Sequence, residues 1–243
     1  GTLIRGHARF TGPHTMRVDD QDLEADRIFL NVGGRAVAPD IPGLADIDYL
    51  TNVGVLELDT VPEHLVIIGG SYIGLEFAQM YRRFGARVTV VEEGPRLAAR
   101  EDEDVSTAIR EILEGEGIDI VVNADAMSLT KRDNGFSLSP AAGAEPVTGS
   151  HLLVATGRRP NTDDLGLDAA GVAVDARGYI GVDDQLRTNV EHIWAMGDCN
   201  GKGAFTHTSY NDFEIVAANL LDGEPRRVSD RIPTYALYID PPL

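Results

Sequence analysis

The chain has 243 residues, of which 43% are hydrophobic and 25% charged, as expected of a soluble globular protein with one large domain or two ordinary ones. Its net charge of −18 disfavours nucleic acid and anionic membranes as partners. The single cysteine, Cys199, excludes an internal disulfide, and the scattered histidines show no metal-binding spacing, so we expect no metal site.

The sequence contains neither a run of about 18 apolar residues nor a signal-peptide pattern, so we expect a cytoplasmic protein without membrane contact. Lys131 and Lys202 are its only lysines. An acidic, lysine-poor surface is compatible with a high-salt cytoplasm, where salt screens the repulsion between like charges. It is equally compatible with an arginine-biased genome, and we favour that explanation.

The first predicted elements are short strands, at residues 2–10 and 14–19, on either side of the turn "TGP". "RIFLNVGGRAVAPDIPGL" follows as a strand that enters a Gly/Pro-rich loop. Residues 64–94, "HLVIIGGSYIGLEFAQMYRRFGARVTVVEEG", predict a strand, a glycine turn, an amphipathic helix and a second strand. "EDEDVSTAIREILEGEG" predicts a helix with an acidic start, ended by Gly115 and Gly117.

In the second half, "IDIVVN", "AMSLTKRD" and "GFSLSP" predict short strands, with a hairpin turn at Asn134-Gly135. "HLLVATGRRPN" predicts a buried strand, and "AGVAVDARGYIGVDDQLRT" predicts strand, turn, strand. "HIWAMGDCNG" predicts a strand, "FTHTSYNDFEIVAANLL" a helix, and "IPTYALYIDPPL" the start of a strand. The similar strand exits "FLNVGGRAVAP" and "LVATGRRPNT" predict two points where the chain crosses between domains.

Three glycines follow the first strand of the 64–94 segment. Gly69, Gly70 and Gly74 fit a turn of the G-x-G-x-x-G kind, although Ser71 replaces its middle glycine. In such a turn the first glycine permits the tight bend and the last one permits close helix–strand packing. The helix that follows would offer its free N–H groups to a phosphate. A nucleotide-binding βαβ unit is therefore predicted.

An acidic residue ends the second strand of this unit. Glu92 lies 23 residues after Gly69, near the spacing of about 20 expected for the carboxylate that accepts both ribose hydroxyls of NAD. This carboxylate would repel the 2′-phosphate of NADP, and Glu93 would add to that repulsion. The sequence thus predicts NAD(H) in preference to NADP(H).

A second signature, "TNVEHIWAMGDC", ends a strand in Gly197-Asp198. Such an aspartate can simply cap a loop. Taken together with five other ordered motifs, however, it resembles the class I pyridine nucleotide–disulfide oxidoreductases, most of all the mercuric reductase and dihydrolipoamide dehydrogenase branch. The resemblance covers essentially the whole chain; the other motifs are "FLNVGGRAVAPDIPGL", "VIIGGSYIGLEFA", "VEEGPRL", "LLVATGRRPNTDDLGL" and "AFTHTSYNDFEIVAANLL".

The resemblance implies a set of NAD-binding residues. Tyr72 matches the position whose ring covers the flavin until the nicotinamide displaces it; alternatively, it is a packing residue at the helix start. Glu76 matches a carboxylate near the nicotinamide; alternatively, it is a solvent-facing glutamate. The full implied set is Gly69, Gly70, Ser71, Tyr72, Ile73, Gly74, Glu76, Glu92, Ala124 and Gly157.

The resemblance also implies FAD contacts. Asp198 would accept a hydrogen bond from the ribityl chain, and the segment from Ala204 to His207 would place a helix N-terminus at the flavin pyrimidine edge. In this motif the backbone of His207 matters more than its ring. The full implied set is Val32, Gly33, Gly34, Asp198, Ala204, Phe205, Thr206 and His207.

The expected fold is α/β. It comprises a Rossmann-like, three-layer NAD domain with a parallel sheet and a β-meander at residues 57–160, flanked by partial FAD-domain segments at 1–56 and 161–228. Residues 229–243 would begin an interface domain. The family's paired cysteines, first FAD fingerprint and C-terminal His/Glu pair are not found here, and Cys199 is expected to be a buried bystander. We therefore expect a truncated chain that binds FAD weakly or not at all and is inactive by itself, from a homodimeric parent.

In that parent, a hydride would pass from NADH to FAD, and electrons would then pass to a dithiol and a small-molecule or disulfide acceptor. No residue of this chain is assigned a catalytic role. One alternative is a flavoenzyme of the NADH oxidase or ferredoxin reductase type, without a dithiol pair. Another is a non-catalytic NAD(H)-binding module.

Overall fold

The computed structural model describes residues 1–243, which divide into two compact units. Unit 1 comprises residues 1–35 and 158–235, and unit 2 comprises residues 36–157 and 236–243. The chain leaves unit 1 after Arg35 and returns to it at Arg158. These two crossings lie in the two similar strand exits, as their shared pattern predicts, and a third crossing follows Tyr235. Residues 36–56, which the sequence places with the first FAD segment, make their contacts in unit 2.

The secondary structure comprises fifteen strands and four α-helices. The helices are α1 (Tyr72–Arg83), α2 (Glu103–Gly115), α3 (Leu167–Ala170) and α4 (Thr206–Ala217). None of them is long and apolar enough to cross a membrane. The strands are β1 (Ala8–Phe10), β2 (Thr15–Val18), β3 (Gln21–Glu24), β4 (Ile28–Leu30), β5 (Gly34–Ala36), β6 (Tyr49–Leu50), β7 (His64–Ile68), β8 (Arg87–Val91), β9 (Asp119–Val121), β10 (Ser128–Arg132), β11 (Gly135–Ser139), β12 (Val147–Gly149), β13 (His151–Val154), β14 (Arg158–Pro160) and β15 (Ile193–Ala195).

Unit 2 is built on a five-stranded parallel sheet in the order β6-β13-β7-β8-β9. Strand β7 is buried along its whole length, because its side chains face apolar layers on both sides. Leu65 and Ile67 pack in one core with α1 and α2, whereas Val66 and Ile68 pack in another with the antiparallel meander β10-β11-β12. The expected three-layer α/β fold with a β-meander is confirmed.

The hairpin turn of the meander differs from the predicted one. Arg132 pairs with Gly135, so Asp133 and Asn134 are the turn residues and Gly135 already belongs to β11. The predicted Asn134-Gly135 turn is therefore wrong by one position. Gly135 is needed for a close approach, since an added Cβ would lie 2.1 Å from the carbonyl oxygen of Gly149.

The C-terminal residues pack on unit 2, and the strand predicted in "IPTYALYIDPPL" does not form. Side chains of α1 bind the backbone there, so no partner strand is needed. The N–H groups of Tyr238 and Asp240 donate to Glu76 (2.9 Å) and Gln79 (2.7 Å), respectively. Leu237 and Ile239, in the same segment, are buried in the core beside α1 and α2.

Unit 1 contains the antiparallel sheet β1-β2-β3, the parallel pair β4 and β15, and α4. The strand–turn–strand predicted between residues 170 and 188 is reduced to a single bridge between Val174 and Ile180. Two aspartates compete for the backbone there. Asp175 accepts the N–H groups of residues 177 and 179, and Asp183 accepts those of residues 185 and 187, each at 2.9 Å.

A buried histidine makes the stability of the fold depend on pH. His64 begins β7, and its Nε2 lies 2.9 Å from Oγ1 of Thr89. Burial, with a smaller contribution from the charge of Arg87, lowers the pKa of His64 below its ordinary 6.5. Because the unfolded chain takes up this proton first, stability is fully present above pH 6.5 and falls as the pH drops below that value.

We therefore compare the unfolding free energy of the wild type with that of His64→Gln and expect the difference to shrink between pH 7.5 and pH 5.5. The decrease is at most about 1.4 kcal/mol, because pH 5.5 lies one unit below the pKa of histidine in the unfolded chain. Urea unfolding of both proteins at the two pH values measures it. The comparison with the variant removes the contribution of the many carboxylates. An unchanged difference at both pH values would refute the role of His64.

Candidate functional site

The glycine turn after β7 brings α1 against the end of the sheet. Gly69 has φ +115°, and an added Cβ there would lie 2.6 Å from the carbonyl oxygen of Ala155. A Cβ on Gly74 would lie 2.0 Å from the carbonyl oxygen of Gly69. Only glycine fits this helix–strand contact. The structure thus shows the tight bend and the close packing that the spacing of these two glycines predicts.

The position of the missing middle glycine does not require one. Ser71 has φ −108° and ψ −176°, an extended conformation open to any residue, and its side chain is exposed. The first helical bond runs from the N–H of Leu75 to the carbonyl of Ser71. The N–H groups of Ile73 and Gly74 precede that bond, so they are available to an anion at the start of α1.

Glu92 reaches back to this turn from the end of β8. Its Oε2 accepts the N–H of Gly70 at 2.6 Å, and its Oε1 accepts the N–H of Gly94 at 2.8 Å. The backbone of Glu92 is fixed as well, since its carbonyl accepts the N–H of the buried Ala124 at 3.0 Å. Each carboxylate oxygen keeps a further lone pair. The half-buried group can therefore accept ribose hydroxyls without losing its backbone partners.

Tyr72 and Glu76 lie on the first two turns of α1. Tyr72 is half-buried against the core of unit 2, and its hydroxyl donates to the carboxylate of Glu101. Glu76 is also half-buried and accepts the N–H of Tyr238. Both side chains thus have structural partners within unit 2. Glu76 is therefore not simply a solvent-facing glutamate.

Gly157 lies at the exit of β13, in the same unit. A Cβ built on it meets no atom within 4 Å, so the space in front of it is open. Its carbonyl accepts the N–H of Val37 at 3.1 Å, which ties the two similar strand exits together. An open backbone position beside the glycine turn suits a ligand that passes close to the chain.

The residues assigned to FAD lie in unit 1, whereas those assigned to NAD lie in unit 2. A Cβ on Gly33 would meet open space, and one on Gly34 would lie 3.7 Å from Cβ of Asp198. The Val32–Gly34 loop and Asp198 are therefore neighbours. Asp198 keeps a quarter of its side chain exposed, and its carboxylate lies 3.7 Å from Nη2 of Arg158.

The start of α4 is exposed from Ala204 to His207. The ring of Phe205 stacks on those of His207 and Tyr235, with centroid distances of 5.4 and 5.9 Å. Nε2 of His207 donates to the carbonyl of Thr234 at 2.7 Å. Because the imidazole is held by this bond, the accessible feature here is the backbone at the helix start.

Two supporting residues, Asn161 and Arg158, are not apparent from the sequence. Asn161 donates through Nδ2 to the carbonyl of Val32 at 2.9 Å and through its backbone N–H to that of Gly33 at 3.0 Å. Arg158 donates to the carbonyl of Gly34. These two residues hold three successive carbonyls of one loop. The only feature of the sequence that points to this loop is the arginine and nearby proline that recur in both strand exits.

Cys199 lies directly after Asp198 but is not placed for chemistry. It is fully buried, and its Sγ donates to the carbonyl of Met196 at 3.2 Å. Burial raises the pKa of the thiol, which disfavours the reactive thiolate. The predicted burial of Cys199 is confirmed, and its role as a bystander stays a prediction.

The family model for pyridine nucleotide-disulphide oxidoreductases matches residues 2–212, which is most of the chain. The chain belongs to this family. Its members are flavoproteins that use a pyridine nucleotide, and both candidate sites fit these groups. The glycine cradle and Glu92 suit a pyridine nucleotide, while the open Gly33, Asp198 and the exposed start of α4 suit FAD.

The family assignment agrees with individual relatives. RclA of Escherichia coli K12, a probable pyridine nucleotide-disulfide oxidoreductase, is 38% identical over 248 residues, which cover 99% of this chain and 56% of the relative. Mercuric reductase of Streptomyces lividans is 38% identical over 231 residues, 92% of this chain and 48% of the relative. The structure of E. coli RclA, described as an HOCl-induced flavoprotein disulfide reductase, matches with a TM-score of 0.94 at 37% identity, covering 99% of this chain and 56% of that one. The chain thus spans about half the length of these relatives.

Proposed function

We propose that unit 2 binds NAD(H) in preference to NADP(H), and that unit 1 contributes to the FAD site of an NADH-dependent flavoprotein oxidoreductase. The observation that carries this proposal is the placement of the Glu92 carboxylate, 2.6 Å from the N–H of Gly70, at the start of a glycine-cradled helix. A carboxylate that merely capped a loop would not explain why backbone carbonyls leave no room for a Cβ at Gly69 and Gly74.

In the proposed NAD site, the N–H groups of Ile73 and Gly74 bind the pyrophosphate, and the open backbone at Gly157 lets the dinucleotide pass. Glu92 accepts the ribose hydroxyls. A 2′-phosphate would meet the negative charges of Glu92 and Glu93 together. Repulsion between these like charges supports the preference for NAD(H) over NADP(H).

In the proposed FAD site, Asp198 accepts a hydrogen bond from the ribityl chain, and the start of α4 stabilises negative charge at the pyrimidine edge. The Val32–Gly34 loop lies along the cofactor. When bound there, FAD would supply the redox chemistry that links NADH to a dithiol or another acceptor. The acceptor is a small molecule or a disulfide, by analogy with mercuric reductase and with the disulfide reductase RclA.

Titration of the purified chain with NADH and NADPH, followed by nicotinamide fluorescence, tests the proposal. We expect saturable binding of NADH and at least tenfold weaker binding of NADPH. Absorbance of the dialysed protein after incubation with FAD reports the flavin site separately. A folded chain, verified by circular dichroism, that binds neither dinucleotide would refute the proposed NAD site.

A further inference from the structure

Helix α4 carries a carboxylate that is completely enclosed in unit 1. Asp212 has no exposed surface, although aspartates in helices usually face solvent. Its Oδ2 accepts the N–H of Gly197 and Nδ2 of Asn200, both at 2.8 Å. Its Oδ1 accepts Nη2 of Arg231, which is itself only 12% exposed. Such a charge is tolerated in the interior only when it is paired and fully hydrogen-bonded.

The donors that Asp212 binds flank the aspartate assigned to the flavin. Gly197 precedes Asp198 and has φ +71°, and Asn200 follows two residues later. One oxygen of Asp212 therefore holds both ends of the short turn that carries Asp198. Asn200 adds a further restraint, since its Nδ2 also donates to the carbonyl of Ala195 at 3.0 Å and its Oδ1 accepts the N–H of Lys202 at 2.8 Å.

Arg231 is oriented for this task as well. Its Nε donates to Oδ1 of Asn211 at 2.8 Å, next to Asp212 on α4. The guanidinium is thus fixed by two successive helix residues, and it pairs with the carboxylate oxygen of Asp212 that does not bind the turn. The network connects the 228–231 segment, α4 and the Gly197–Asn200 turn within one unit.

We propose that Asp212 is a positioning residue, whose buried carboxylate, paired with Arg231, fixes the Gly197–Asn200 turn so that Asp198 is pre-organised to accept a hydroxyl of the ribityl chain. This inference rests on the proposed assignment of Asp198 to the FAD site. A turn that is already fixed loses less conformational entropy when it binds the ribityl chain. The affinity for FAD therefore depends on Asp212, although Asp212 does not contact the ligand.

The test compares Asp212→Asn with Asp222→Asn, a matched control at an exposed site just after the same helix. Asparagine keeps the shape of the Asp212 side chain. However, its NH₂ group is a hydrogen-bond donor and would face another donor at a position where the carboxylate oxygen accepts a hydrogen bond. We expect hydrogen exchange of the Gly197–Asn200 amides to accelerate at least tenfold in Asp212→Asn. We also expect FAD affinity to fall at least tenfold, whereas NADH affinity, which reports unit 2, stays unchanged. Asp222→Asn should behave as the wild type in all three measurements.

The outcomes separate this inference from the proposed function. If the Gly197 amide of Asp212→Asn exchanged as slowly as in the wild type, the positioning role would be overturned. Faster exchange with unchanged FAD affinity would overturn it as well. The two readouts are independent: FAD titration of the wild-type chain tests the proposed flavin site, whereas the exchange result decides whether Asp212 fixes the turn even if the chain binds FAD too weakly to titrate. If Asp212→Asn does not fold, Asn200→Ala serves instead, because it removes one of the two contacts that Asp212 makes with the turn but keeps the ion pair between Asp212 and Arg231. It must then show the same accelerated exchange at Gly197.

Discussion

Replacing Gly74 with alanine is expected to abolish NADH binding and to lower the free energy of unfolding by about 1–3 kcal/mol, the usual cost of overpacking. The added methyl group would lie 2.0 Å from the carbonyl oxygen of Gly69, which is backbone and cannot turn away. Helix α1 must therefore move from the strand, and the N–H groups at its start move with it. Urea unfolding and NADH titration of the same variant measure the two effects.

Gly115→Ala provides the matched control. Gly115 ends α2, and a Cβ built on it meets no atom within 4 Å. Because alanine favours the helix over glycine by up to about 1 kcal/mol, this variant should be as stable as the wild type or slightly more so, with unchanged NADH affinity. Equal stability of the two variants would contradict the close helix–strand contact at Gly74.

Replacing Glu92 with glutamine is expected to weaken NADH binding at least tenfold and to reduce the preference for NADH over NADPH. The amide oxygen can accept from Gly70 or Gly94, but its NH₂ group then faces the other N–H donor. A hydrogen bond to a charged group contributes about 1.5–3 kcal/mol, and about 1.4 kcal/mol corresponds to a tenfold change in affinity. Parallel titrations with NADH and NADPH measure both effects.

The neighbouring Glu93 is exposed and makes a suitable control. Glu93→Gln removes the same charge one residue along the chain, so it should leave NADH affinity unchanged while NADPH binds somewhat better. If both substitutions weakened NADH equally, general charge rather than the geometry of Glu92 would explain the preference.

The sheet of unit 2 and its glycine turn were predictable because their signals are local. An unbroken apolar run in β7, glycines at fixed offsets and an acid at the end of β8 each follow from the geometry of one βαβ unit. The physical roles of Gly69 and Gly74 could be stated from spacing alone. Ser71 also shows how far spacing misleads: the motif places a glycine there, but the backbone is extended and requires none.

The elements that the sequence did not predict depend on hydrogen bonds of individual side chains, most of them to residues far away in the chain. Glu76 and Gln79 bind the backbone of residues 238 and 240, which replaces the expected strand. Asp175 and Asp183 bind nearby N–H groups and prevent a second pair of strands. Nothing in "SYNDFEIV" distinguishes the buried Asp212 from a surface acid, because its donors lie 12 to 19 residues away.

Chemical-shift mapping of the ¹⁵N-labelled chain tests most directly whether NADH binds at the glycine turn of unit 2. On addition of NADH, we predict the largest shifts at the amides of residues 69–74 and 92–94, which surround the glycine turn. The amides of residues 197–207, in the other unit, should remain unchanged. Large shifts at residues 197–207 without any at 69–74 would place the dinucleotide at the other site and contradict the account.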